Sequence, residues 1–230
     1  MPAAAGAPPV AAPVLPEELD SAMLADLDDD RLLDGVTLSG ETAVDLAVRG
    51  VTLRRARLTG LRTPGATFDG VVLTHVVVED CDLSGATFDG AVLERVELRR
   101  CRLSGLVAAA LAATDVRLVD CRADEAWFRV ARFERVVFEG CDLTGSDWYE
   151  ARLRHSRIAR CRLDGAELSR AAFDGVALHG TTLDGIRGAG GLRNVVIGPD
   201  QVVDVALAVF GPLGITVADE ADPPDRSVDR

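Results

Sequence analysis

Five cysteines, Cys81, Cys101, Cys121, Cys141 and Cys161, recur at intervals of 20 residues, and they are all the cysteines of the chain. Evenly spaced thiols could bind metal or exchange disulfides. Zinc sites need clustered ligands such as C-x-x-C pairs, however, and none exists here. The histidines are three. His75 and His155 share a position in the 20-residue frame but lie four periods apart, too far to share a ligand, and His179 has no third ligand or nucleophile near it in the pattern. No phosphate loop, nucleophile elbow or metal box appears. The residues able to do chemistry point to no catalytic centre, cofactor or metal site, and a non-enzyme is expected.

The cysteine spacing is one reading of a shorter period. Of the 30 positions from 38 to 183 whose number leaves remainder three on division by five, 25 are Leu, Phe, Val, Ile or Trp. Two residues earlier runs a column of small or branched apolar side chains: Val76, Cys81, Ala86, Ala91, Val96, Cys101. All 15 glycines from 35 to 187 sit at numbers divisible by five. Neither a helix nor a flat strand keeps a five-residue apolar period on one side. A chain that turns a corner every five residues does, with glycine easing corners that need positive φ. Four corners close a square of 20 residues, so the cysteines form one inward column, one per coil. Coils stacked at ~4.8 Å make residues 36–187 a rod roughly 36 Å long.

The segments ATFDG (at 66 and 86), CDLSG, CDLTG, ARLTG and TTLDG resemble the pentapeptide repeat proteins, whose pattern is A-(D/N)-L-x-x. The resemblance covers about 150 of the 230 residues and implies an all-β fold, a right-handed quadrilateral parallel β-helix. Its weak units are ETAVD at 41, LRTPG at 61, and LVAAA and LAATD at 106–115, where Ala108 and Ala113 replace large residues and an underfilled core is expected.

Caps are expected at both ends of such a solenoid. Residues 1–15, rich in Ala and Pro, read as a disordered tail with no signal-peptide pattern. Residues 16–35 read as an acidic helical cap, because Pro16, Glu17 and Glu18 suit a helix start and Leu19, Met23, Leu24 and Leu27 recur at helical spacing. Residues 188–218 read as a capping or dimerisation helix that starts near Pro199 and stops at Gly211-Pro212. There Val202, Val203, Ala206, Leu207 and Phe210 form one stripe, and Val205 and Val209 populate the other side. A helix so apolar all round buries more than one face, which suggests a homodimer. Residues 219–230 read as a disordered acidic tail.

The net charge of −12 sits mostly in the ends: −7 in residues 1–35, −1 in 36–187 and −4 in 188–230. No lysine occurs; all 25 basic residues are arginine. Within the repeats the cysteine-bearing face holds eight acids against four arginines, among them Asp82, Asp124, Glu125, Asp142, Asp164 and Asp184, and the opposite face four acids against seven arginines. On the next face, Val107, Trp127, Val130 and Tyr149 point outward as an apolar partner patch. In the quinolone-resistance branch of the family, a dimeric rod with an acidic surface mimics B-form DNA and occupies a type II topoisomerase. The resemblance therefore implies a DNA gyrase partner with no direct binding of nucleic acid, and no membrane partner is expected because no stretch approaches the ~18 consecutive apolar residues of a span. The alternative is an interaction scaffold using the aromatic patch. A cytoplasmic location is expected.

Overall fold

In a computed structural model that describes residues 9–210 and 214–215, the repeats wind into a four-sided parallel β-solenoid. The faces are labelled here from one coil: A holds residues 81–85, B 86–90, C 91–95 and D 96–100, with equivalents every 20 residues. The register is uniform. Leu32 pairs with Thr52, Val72 with Val92, Ala112 with Arg132, and Arg162 with Thr182. Faces C and D of four coils merge into eight-residue strands, Val72–Glu79, Val92–Arg99, Ala112–Val119 and Arg132–Glu139.

The reason for five-residue sides is visible at the corners. Every residue whose number is divisible by five, from Asp30 to Gly185, has positive φ. Fifteen are glycines, as the sequence suggests, but seventeen are not. The stacked neighbours hold even unfavourable residues in this left-handed geometry, which ordinarily costs an L-residue ~1–2 kcal/mol. Val130, at φ 59°, is the one β-branched residue among them.

Most of the two inward columns is buried as the spacing predicts, including all five cysteines, while Leu58, Phe68, Phe88 and Leu98 are partly buried. The weak stretch 106–115 keeps regular coils, paired in register on both sides. A space of about 90 Å³ along the axis is lined from Leu24 to Phe138, with Ala108 and Ala113 among its walls. At one end of that lining Phe128, Phe133 and Phe138 pack with Trp148, ring centroids 4.5–6.4 Å apart.

Both ends differ from the expected boundaries. The 16–35 segment is not an α-helix. Asp20–Ser21 forms a strand that pairs with Val36 and Thr37, followed by a short 3-10 turn at Leu24–Asp26. The open edge of the first coil offers unpaired backbone groups, and that tertiary demand outweighs a marginal helical pattern. Leu24 and Leu27 still seal the end, both buried. At the other end Val195–Ile197 adds one more strand, paired with Val176–Leu178, so parallel pairing runs beyond 36–187 in both directions. Residues 9–15 are also not a free tail. They lie along the C–D corner, where the Val14 N–H donates to His75 Nδ1 (2.9 Å) and the Ala11 N–H to Asp115 Oδ1 (3.3 Å). The first eight residues of the expected N-terminal tail, the expected tail at 219–230 and the stop at Gly211-Pro212 fall outside the described residues.

Candidate functional site

The acids singled out on face A share that face, in two adjacent outward columns and one corner. The column carrying Asp82 and Asp142 reads Arg62, Asp82, Arg102, Arg122, Asp142, Arg162 from coil to coil. Counting charges per face misses this interleaving, which only the stacking register reveals. Asp142 is ion-paired to Arg162, and Asp124 to Arg122 at 2.8 Å. Against burial, which acts the other way, Ser104 and Arg122 hold the Asp124 carboxyl below its ordinary range, and Thr144 and Arg162 do the same for Asp142. The Ser84 hydroxyl, 2.7 Å away, holds Asp82 down. Asp82, Glu125, Asp164 and Asp184 have no ion-pair partner among the described residues.

The asymmetry is nevertheless one of sides. Within residues 36–187, faces A and B carry 13 acids against 8 arginines, while C and D carry 9 against 13. The rod thus has an acidic half and a basic half, divided lengthwise. Fields of this kind steer charged partners.

Face B carries the aromatic patch, and it is not purely apolar. Trp127 and Val130 are exposed, while Val107 and Tyr149 are half-buried. Arg129, missed in the sequence because it is polar, places its guanidinium 5.6 Å from the Trp127 ring centroid and 5.8 Å from that of Tyr149. Arg170 stacks on Tyr149 from the next coil at 5.6 Å. The Asp147 carboxylate, 2.7 Å from Arg129, orients that guanidinium. The result is a ridge of alternating cation and ring across three coils, each contact of the cation–π type.

The terminal helix, Val202–Phe210, divides its apolar surface. Val205, Ala208 and Val209 pack on the end of the core. Val202, Val203 and Leu207 are 55%, 66% and 58% exposed, and Ala206 and Phe210 are half-buried. Its entry is pinned by Gln201, buried, whose Nε2 donates to the Thr181 carbonyl at 2.6 Å and whose Oε1 accepts from the Gly198 N–H at 2.8 Å.

No group of three or more His, Cys, Asp or Glu side chains among the described residues is arranged to hold a metal ion. No described helix is long and apolar enough to cross a membrane.

A regular quadrilateral solenoid with two inward columns per five residues defines a class of β-solenoid proteins. The family comparison names it: the model of a pentapeptide repeat region matches residues 91–168, and that of eight-copy pentapeptide repeats matches 49–88 and 66–105. Together they cover more than half of the chain, which belongs to the pentapeptide repeat family. No curated protein matches it. Among solved structures, trypsin-treated R167E QnrB1, a plasmid-mediated fluoroquinolone resistance protein, is similar at 21% identity over 78% of this chain and 100% of that one, with a TM-score of 0.43. HetL of the cyanobacterium Nostoc sp. strain PCC 7120, involved in heterocyst differentiation regulation, is similar at 18% identity over 73% and 87%, with a TM-score of 0.33.

Proposed function

We propose that this chain is a non-catalytic binding rod that acts as a homodimer and engages a type II topoisomerase, DNA gyrase, through its acidic half, so modulating the enzyme or protecting it from inhibitors. The observation that carries this reading is the lengthwise division of charge, with Asp82, Asp164 and Asp184 lacking ion-pair partners among the described residues along face A. A protein surface that ordinarily grips DNA is basic, and a straight rod with coils stacked at ~4.8 Å and an excess of carboxylates along one side complements it. The exposed Val202, Val203 and Leu207 suit a two-fold pairing of terminal helices, which doubles the rod's length.

A second reading has its own observation. Trp127 is half exposed on a ridge stiffened by Arg129 and Arg170, as expected of an anchor for a protein partner in a scaffold. Gyrase supercoiling, assayed with and without a fluoroquinolone, separates the two. Under the first reading the protein inhibits or protects, the effect falls steeply with salt, and arginine at 82, 164 and 184 abolishes it. Trp127→Ser with Tyr149→Ser leaves it intact. No effect of the wild-type protein at about 10 μM removes the topoisomerase reading.

A further inference from the structure

The extended segment at residues 9–15 is held in a way that neither the repeat nor the proposed partner requires. Three residues separate Ala11 from Val14, and two coils separate Asp115 from His75. An extended chain covers ~10 Å in three residues, and two coil steps are ~9.6 Å. The segment and the corner are therefore in register, with two side-chain acceptors set at the spacing of two backbone N–H groups. Asp115 is a fixed acceptor. It is 7% exposed and held by Arg135, whose Nε and Nη2 both donate to it at 2.8 Å.

His75 is the more informative partner. A backbone N–H can only donate, so its bond forms where Nδ1 accepts and Nε2 carries the proton of a neutral ring. Arg95 Nη1 lies 3.1 Å from Nε2. A guanidinium too can only donate, so a neutral ring accepts from Val14 at Nδ1 or from Arg95 at Nε2, and a doubly protonated ring accepts from neither. Placing a second proton on the ring would set donor against donor at Val14 and add a cation beside Arg95. The surrounding charges do not offset this. Glu94 is 3.9 Å from Arg95, Asp115 is committed to Arg135, and Arg55, at the preceding corner, is committed to Asp34 at 2.6 Å. His155, in the same column, is arranged oppositely, with Nδ1 3.0 Å from the Glu134 carboxylate, where protonation strengthens the contact.

We infer that the C–D corner from His75 to Asp115 is a binding site for an extended peptide segment, filled by the chain's own residues 11–14, and that it releases the segment when His75 takes up a proton. Histidine is the side chain whose charge changes in the physiological range, so the hold is present above that transition and lost as pH falls through it. Release bares the basic edge of the rod without unwinding a coil.

The test uses the full-length chain. Amide exchange protection of Ala11 and Val14 is followed by NMR between pH 8 and pH 5, corrected for intrinsic exchange. Val14 protection is expected to fall about five- to tenfold on acidification, the scale of one hydrogen bond, while rod amides hold. His75→Gln, whose side-chain carbonyl accepts at any pH, is expected to keep Val14 protected throughout. Wild-type protection that does not change with pH, or a Gln variant with the same pH dependence, overturns the inference. Protection that rises with protein concentration would overturn the intramolecular assignment, since a second copy would then supply the segment.

Discussion

Trp148 points into the core and donates its indole N–H to Ser146 Oγ at 2.7 Å, and the serine hydroxyl in turn donates to the Leu143 carbonyl at 2.6 Å. Both polar groups are buried and both are satisfied, so the largest side chain of the interior is held at no cost in unmade hydrogen bonds.

Thr63 shows the opposite. It occupies the same kind of inward position, 1% exposed, lines the axial cavity, and its hydroxyl has no partner among the described residues. Thr63→Val keeps the shape and removes the orphaned group. It is expected to stabilise the rod by about 1–2 kcal/mol, read as a higher denaturant midpoint. A lower midpoint would mean the hydroxyl is bonded.

Val130→Gly is a test of the corners. Removing the β-branched side chain relieves its left-handed strain, and the greater freedom of glycine in the unfolded chain offsets part of the gain. A net stabilisation of about 1 kcal/mol is expected. Gly140→Ala should go the other way, because it places an L-residue at φ 64° and makes the Asp120 carboxylate shift. A thermal melt of each variant checks both directions.

The cysteine column should be silent. Each thiol is buried, and although the Cys141 thiol holds Cys161 below its ordinary value while the Cys121 thiol pushes Cys101 up to about 12, burial bars a reagent from all five. Native protein is expected to show no rapid reaction with a disulfide reagent, and five equivalents after denaturation; EDTA should leave the melt unchanged. One fast thiol in the native state would show that a coil opens readily at that level.

If the terminal helix pairs two rods, Leu207→Asp should give a monomer that melts close to the parent, since Leu207 is exposed and Val205, Ala208 and Val209 carry the packing on the rod. Sedimentation at micromolar concentration reads the outcome. A wild-type chain already monomeric there removes the dimer from the proposal.

The rod is legible in the sequence because its constraint is strictly local and repeated. Leu143, Phe138 and Cys141 announce their inward position by number alone, and a single slip in the frame would show. The ends are less legible. Leu19, Met23, Leu24 and Leu27 carry a helical spacing, but what decides their structure is the backbone of Val36 and Thr37, a vacant edge that no local pattern records. The contacts of Val14 and Ala11 reach 61 and 104 residues along the chain and use only backbone donors, which any residue but proline supplies. On face A the acids are legible singly, and their pairing with Arg122 and Arg162 becomes visible only once the coils are stacked. Arg129 belongs to the aromatic ridge by its plane, not its polarity.

The unbroken run of left-handed corners makes the chain a modular gauge. Twenty residues added upstream of Gly188 would raise the terminal helix by one step of ~4.8 Å and keep its compass bearing relative to the acidic half. Five residues added would swing it a quarter turn, so that two paired rods would present their charged halves to different quarters. Any number that is not a multiple of five would throw the inward columns out of phase. Reach and bearing can therefore be altered separately by lengthening or shortening the gene in units of fifteen nucleotides, and a dimer's choice of which sides align is written in the count of its pentads.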